Sequence, residues 1–436
     1  MSISTPIHDF LGAYSAENPV RCHMPGGKRN AFDITEIDGA DSLYESSSGS
    51  PGIIRASEEN ASKLFGSGDT LFSCGGSTLA IQTMLAAVKA AYPKRNRVAA
   101  SRFCHRSLVS ACALLGLEID WIMPQSFLSC NVTVKAAEEK ITPATLCLFV
   151  QSIDYYGGEC DVGDLSLLCR AKKLPLLVDN AHGAYLVFTP FHPLQQGADM
   201  TADSAHKTLP CLTGGAYLHI SENAPPAFAE RAKELMAVFG SSSPSYLMLD
   251  SLDLCNRHIA EEKERARQVF AEVKKLKTAL MTAGYRLRKS DLLRITIDAC
   301  KYGYSGFELA SVLRQNGVSA EFSDDRYVVL LFSTGQRLSD FPKILEAAEK
   351  IPRRPAIECS EPAFTAPTAV LSPRDALFSP SEEIPLSRAE GRVCASVSCP
   401  CPPCVPLVMP GELFTASAVE MLKLYGTEKV RVVKNG

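Results

Sequence analysis

Between about residue 61 and residue 290, short apolar runs alternate with stretches of helical periodicity, and this alternation constrains the fold more than any other feature of the chain. The runs are Val98-Ala99-Ala100, Leu146-Cys147-Leu148-Phe149-Val150, Leu174-Pro175-Leu176-Leu177-Val178 and Ala216-Tyr217-Leu218-His219-Ile220; the clearest helix is Leu79 to Ala91, closed by Pro93. Strands separated by helices pair in parallel, so an α/β, doubly wound and mostly parallel sheet is predicted for this major domain. Residues 1–60 lack hydrophobic periodicity and are rich in Gly, Ser and Asp, which predicts an irregular N-terminal arm. A charged helix from Glu261 to Leu280 leads to a smaller α/β domain over 291–436. That domain is predicted to hold a strand at Leu292–Ile297, a helix at Phe307–Gln315, a strand at Arg326–Phe332 and a helix at Asp340–Lys350. Prolines with Ser and Ala over 352–385 read as a linker, followed by a last small element.

Charge and length narrow the chemistry. Lys plus Arg number 45 against 48 Asp plus Glu, a net charge of -3, so no basic field exists to hold nucleic acid or an anionic membrane surface. No apolar run approaches the roughly 20 residues that span a bilayer, and Met1-Ser2-Ile3-Ser4-Thr5-Pro6 is no leader, which predicts an unprocessed cytoplasmic protein. The 16 cysteines are scattered through apolar segments of a chain long enough to need no covalent staples, and are expected to be reduced. Cys394, Cys399, Cys401 and Cys404 cluster, but the spacing of Cys399 and Cys401 is too tight for a usual zinc knuckle. A proline-rich loop without metal is the expectation.

Three segments, in order, carry the chemistry. Cys74-Gly75-Gly76-Ser77-Thr78 opens a helix, where free N–H groups and the dipole attract a phosphate, although Ser and Thr are also ordinary helix caps. Leu176-Leu177-Val178-Asp179 ends an apolar strand in a carboxylate at the sheet edge where α/β folds bind ligands; capping of a following helix is the competing role. Asp203-Ser204-Ala205-His206-Lys207-Thr208-Leu209 then places a lysine among small and hydroxyl residues, a position an ordinary solvated lysine also occupies. Together they suit pyridoxal 5'-phosphate, which needs a phosphate cradle, an amine and an anion against its ring nitrogen to act as an electron sink. His105, after the Val98–Ala100 run, is read as a planar ring stacked on the cofactor in preference to a surface histidine.

The ordered set His23-Met24-Pro25-Gly26-Gly27-Lys28, Gly76-Ser77-Thr78, His105-Arg106-Ser107, Asp154-Tyr155-Tyr156-Gly157, Asp179-Asn180-Ala181-His182-Gly183, Ser204-Ala205-His206-Lys207-Thr208-Leu209 and Ser243-Pro244-Ser245-Tyr246 resembles the major domain of the ornithine/lysine/arginine decarboxylases. Pro402-Pro403-Cys404-Val405-Pro406 and Pro410-Gly411-Glu412 resemble that family's C-terminal element. The resemblance implies fold type I, the aspartate-aminotransferase-like architecture. It implies that Lys207 carries the cofactor, Asp179 holds the pyridine nitrogen, and His105 stacks over the ring. Ser77, Thr78, Ser204 and His206 would hold the phosphate, with His182 close to ring and substrate. It also implies a homodimer or higher homo-oligomer in which Ser243 and its neighbours reach the partner's cofactor.

The expected activity is decarboxylation of arginine, lysine or ornithine to the amine, a polyamine-related reaction, with Lys207 or His182 returning the α-proton. Asp154 and Glu412 are weaker candidates for the substrate's distal cation. Rival readings are transamination or aldol cleavage on the same cofactor, or a non-catalytic cofactor-binding protein. Arg294 would serve a transaminase as an α-carboxylate clamp, but reads first as a surface arginine. Departures from the family pattern are Gly27 for histidine, Asn180 for an acidic residue, Tyr185 for histidine, Gly214 for glutamine, and Cys401 and Cys404 for tyrosine and glycine. Substrate selectivity is therefore expected to differ through the loops bearing Gly27 and Gly214.

Overall fold

The computed structural model describes residues 3–17, 19–22, 52–124, 126, 128–359, 365–397 and 406–434. These pack as two compact units, each built from two stretches of chain: Met1–Ala91 with Leu177–Arg267, and Tyr92–Leu176 with Gln268–Gly436. The first unit holds the strands β1 (Asp69–Ser73), β5 (Leu176–Asp179), β6 (Met200–Asp203) and β7 (Ala216–Ile220), and the second holds β2 (Arg97–Ser101), β3 (Glu118–Ile122) and β4 (Thr145–Gln151).

In the first unit β5 pairs with β6 in parallel, whereas β7 runs antiparallel to both β6 and β1. The expected α/β, mostly parallel arrangement is present, and its antiparallel step has a simple reason. A parallel return needs a crossover of a dozen or more residues, usually a full helix. Residues 204–215 hold only the single turn Ala205–Thr208, so the chain re-enters at the near end of the next strand. The Gly76–Ala91 helix buries Ala80, Ile81, Met84, Leu85 and Val88, the apolar stripe read from the sequence. Two helices, Pro6–Glu17 and Ile53–Phe65, occupy the arm expected to be irregular. Only Ile7 of the first is buried, so its apolar signal is weak. Its start is held instead by Asp253, whose Oδ2 accepts the Ile7 and His8 N–H groups at 2.9 and 3.0 Å, satisfying donors that every helix N-terminus leaves over.

In the second unit β2 pairs in parallel with β3 and with β4, and every residue of β4 is buried. A four-stranded antiparallel sheet, ordered β10-β11-β9-β8, combines β8 (Arg286–Arg288), β9 (Arg294–Asp298), β10 (Phe322–Ser323) and β11 (Tyr327–Leu331). The Gly306–Gln315 helix beside it begins on a reciprocal cap between Ser305 and Glu308. The end of the expected linker is structured: Pro373–Phe378 is helical, and Ser381–Pro385 forms β12, paired with β13 (Lys429–Val433). The expectation of reduced thiols throughout is also corrected, since Cys300 and Cys359 form a disulfide. Residues before Cys359 run along the turn bearing Cys300, with the Ile357 N–H donating to the Cys300 carbonyl at 3.0 Å, and this brings the two thiols together.

His219 in β7 is fully buried, its Nδ1 2.8 Å from the Thr70 hydroxyl of β1. Burial presses its pKa from 6.5 down to about 3, so it stays neutral in the fold and is protonated on unfolding below pH 6.5. The unfolded chain then binds the extra proton, and stability falls as pH falls from about 6.5 towards 3. His219→Gln should remove up to about 1.4 kcal/mol per pH unit from that slope, read from urea midpoints between pH 6 and pH 4; an unchanged slope would show that His219 is protonated in the folded protein.

Candidate active site

The first unit gathers most of the residues singled out in the sequence. Asp179 closes β5 and is buried, and its Oδ1 accepts the Ala181 N–H at 3.0 Å in a local turn. No α-helix starts there; the next element is a short 3-10 segment, Ala184–Phe188, so the helix-cap alternative falls away. Burial pushes the carboxyl above its ordinary range, opposed by the Ala181 N–H and by Lys207, with Asp203 adding to the rise. Lys207 stands on the single helical turn after β6, its Nζ 3.1 Å from Nε2 of the buried His182.

The phosphate-cradle residues also converge. Gly76 opens its helix at φ +68°, with its N–H donated to the Gly214 carbonyl at 2.8 Å. A positive φ of this kind is open to glycine at little cost. One residue on, the Ser77 hydroxyl accepts from Ser204 at 2.9 Å, so hydroxyls from the helix start and from the Lys207 segment share one place. His206 donates from Nδ1 to the Gly215 carbonyl at 3.1 Å, which fixes its tautomer, and burial lowers its pKa. Thr78 and Ser241 to Ser245 line one cavity of about 480 Å³ together with Cys74 and Lys233. A lysine beside a histidine, a buried carboxylate at a strand end, and paired hydroxyls at the start of a 16-residue helix are a donor set that fits pyridoxal phosphate. His105 belongs to the second unit, where it caps the Arg106–Leu115 helix; its Nδ1 lies 2.9 Å from the Ser107 hydroxyl.

Other expectations are overturned. Asp154 accepts the backbone N–H groups of Tyr156 and Gly158 at 2.8 Å and of Cys130 at 3.2 Å, which makes it the organiser of its own loop, not a partner for a substrate cation. Glu412 is buried against Arg102, which it meets with both oxygens, and Glu412 Oε2 also accepts the Met409 N–H at 2.7 Å. Its charge is thus neutralised within the core. Arg294 is neither a surface residue nor a clamp: only 1 % of it is exposed, and it pairs with Asp291. Gly214 has φ +100°, so its backbone, and not the enlargement of a pocket, explains the absence of a side chain. The motif at residues 23–28, with Gly27, and the cysteines 399, 401 and 404 lie outside the described residues; Cys394 is buried. Asn180, Asp203 and His192, given no role from the sequence, form a buried polar cluster directly behind the Asp179 strand end.

With this geometry in hand, the relatives define the class. The model for "Orn/Lys/Arg decarboxylase, major domain" matches residues 2–299 and that for the family's C-terminal domain matches 359–429. The Bacillus subtilis protein YaaO is 28% identical over 99% of this chain and 96% of its own length. A Bacillus subtilis arginine decarboxylase is 27% identical over 96% of this chain and 93% of its own. Among solved structures, the constitutive lysine decarboxylase of E. coli superposes with a TM-score of 0.78 at 16% identity, over 99% of this chain and 82% of that one. Lysine decarboxylase A of Pseudomonas aeruginosa gives 0.79 at 15%, over 98% and 80%. This is an amino-acid decarboxylase of the pyridoxal-phosphate-dependent, fold type I class. The chain belongs to the Orn/Lys/Arg decarboxylase family. Among the described residues no helix is long and apolar enough to cross a membrane.

The reassignment of Glu412 is open to test. Glu412→Gln should lower stability by roughly 3–5 kcal/mol in urea denaturation, because it strands the buried Arg102 guanidinium, while a double replacement of Arg102 and Glu412 by apolar residues should recover most of the loss. A raised KM with an unchanged urea midpoint would instead return Glu412 to the substrate.

Proposed function

We propose that the chain decarboxylates a basic amino acid to its amine, with arginine the first substrate to test, since relatives of matching length bear that name. The observation that carries the reading is the Lys207–His182 pair at 3.1 Å, in the same unit as the buried Asp179. When bound, pyridoxal phosphate supplies an electron sink for the bond broken at the substrate α-carbon. Lys207 is the amine that carries it. Asp179, held in place by the Ala181 N–H, is the anion that keeps a ring N–H protonated. Ser77, Thr78 and Ser204 accept the phosphate, aided by the helix N-terminus; His206, tied to Gly215, closes that side. The ring-stacking role of His105 rests on the family motif. His182 and Lys207 exchange a proton across their 3.1 Å contact, and burial of His182 keeps bulk water from that proton. The clamp that would have favoured transamination is withdrawn, because Arg294 is tied to Asp291.

Cofactor-loaded protein supplied with arginine, lysine and ornithine should release carbon dioxide from at least one of them without accumulating keto acid, and borohydride reduction should place the cofactor label on Lys207. Keto acid as the main product, or a label on another lysine, counts against the reading.

We also propose a homodimer, in which the exposed Ser241 to Ser243 segment and Pro244 and Ser245 beside it reach the partner's cofactor. Mixing Lys207→Ala with a variant disabled at Ser243 should regain activity that neither has alone. Full activity in a protein that sediments as a monomer refutes it.

A further inference from the structure

Behind the Asp179 strand end, Asn180 and Asp203 face each other across the parallel pair β5 and β6. Asn180 Nδ2 donates to Asp203 Oδ2 at 2.6 Å, and the same oxygen lies 2.9 Å from His192 Nε2. All three side chains are fully buried. His192 Nδ1 accepts the Leu194 N–H at 3.3 Å, so in the neutral ring Nε2 carries the proton and donates to Asp203. His192, Asp203 and His219 present ligand atoms within 4.8 Å of one another, and within that group Asp203 Oδ2 is already shared by Asn180 and His192.

We propose that Asn180, Asp203 and His192 form a positioning unit that sets Asp179 and the Lys207–His182 pair, with its single negative charge placed on Asp203 and its amide at 180. The proposal rests on the functional reading above for what is being positioned. Asn180 directly follows Asp179, and Asp203 directly precedes Ser204, so their hydrogen bond joins the cofactor-anion loop to the lysine-bearing turn. The Asn180 main chain is fastened on both sides, its N–H donating to the Ala202 carbonyl at 3.0 Å and its carbonyl accepting the Gly183 N–H at 2.8 Å. A Cβ on Gly183 would fall 2.1 Å from Asn180 Oδ1. The amide therefore packs flush against the turn that carries His182, and the direction of one governs the course of the other.

Charge gives the unit its polarity. Around Asp203 stand His192, His219, Thr201 and Asn180, with Asp179 and Lys207 at the neighbouring strand end. His192 and Asn180 are both hydrogen-bond donors to one carboxylate; burial pushes the Asp203 pKa up, and its interactions, those with His192 foremost, bring it below the ordinary value. A second carboxylate at 180 would put two acidic oxygens within hydrogen-bond distance, where they must share one proton. The resembling family usually has an acidic residue at 180; here the carboxylate stands on the other strand.

The test is a swap. Asn180→Asp and Asp203→Asn are made singly and together, and pyridoxal phosphate is added to each purified protein. Each single variant should shift the pH titration of the bound cofactor's visible absorption by about one unit or more, while the double variant should return it to the wild-type curve. The same cycle is read without cofactor by thermal midpoints, lowered by several degrees in each single variant and largely recovered in the double. If Asp203→Asn does not fold, Asn180→Asp alone should gain thermal stability as pH falls towards the shared protonation of its carboxylate pair, relative to wild type. Wild-type titrations in both single variants, or simply additive losses in the double, overturn the proposal. Failure of the wild-type protein to take up pyridoxal phosphate sinks the functional reading instead, and leaves the melting cycle to decide the pairing.

Discussion

A carboxylate buried at the end of a β-strand is expensive, because the interior offers little of the solvation that water gives an anion. Asp179 is such a group, and the surroundings of the first unit read as responses to it. One backbone N–H bonds it directly, the Lys207 ammonium opposes the rise in its pKa, and the next residue in the chain is an amide, not a further acid. The strand geometry decides where this cost falls. Since β5 and β6 run in parallel, their carboxyl ends lie side by side, and the loops that leave them bring Asp179, His182 and Lys207 into one neighbourhood. A sheet that turned back one strand earlier would have sent the lysine to the opposite edge.

Much of this was legible in the residues. Apolar runs located β2, β4, β5 and β7, and the helix starting at Gly76 followed from glycines and hydroxyls ahead of an apolar stripe. The places of Asp179 and Lys207 at strand ends were legible because their residue types sit at the close of, or just after, apolar runs, a purely local signal. The missed elements share a different cause. The Pro6–Glu17 helix buries one apolar residue and is fixed through Asp253, more than 240 positions away in the chain. His192 gives no local cue at all, because its role exists only once β6 delivers Asp203 beside it.

Charged residues were the hardest to place, for a physical reason. Asp154 and Glu412 were weaker candidates for a substrate cation, since a charge near a binding motif suggests a counter-charge in the substrate, and Arg294 read first as a surface residue. In the fold each is already satisfied: by three N–H groups, by Arg102, and by Asp291. Complementarity inside the chain competes with complementarity to a substrate, and a sequence shows the charge without showing its partner. The buried Arg102–Glu412 pair, with the guanidinium also 4.9 Å from the centre of the Trp121 ring, does join residues 310 positions apart. That makes it a fastening between the strand β2 region and the late Pro410-Gly411-Glu412 motif.

The discontinuous build of the two units has a consequence for synthesis on the ribosome. Residues 1–91 emerge first but cannot close their unit until 177–267 have followed, and residues 92–176 wait in turn for the chain beyond 268. The nascent N-terminal segment therefore carries strand β1 without its partner β7 until residues 216–220 appear, and the helix start at Ile7 without Asp253 until residue 253 appears. Contacts so distant in sequence form slowly, because loop closure must precede them. An unpaired β1 in that interval is a template for wrong pairing.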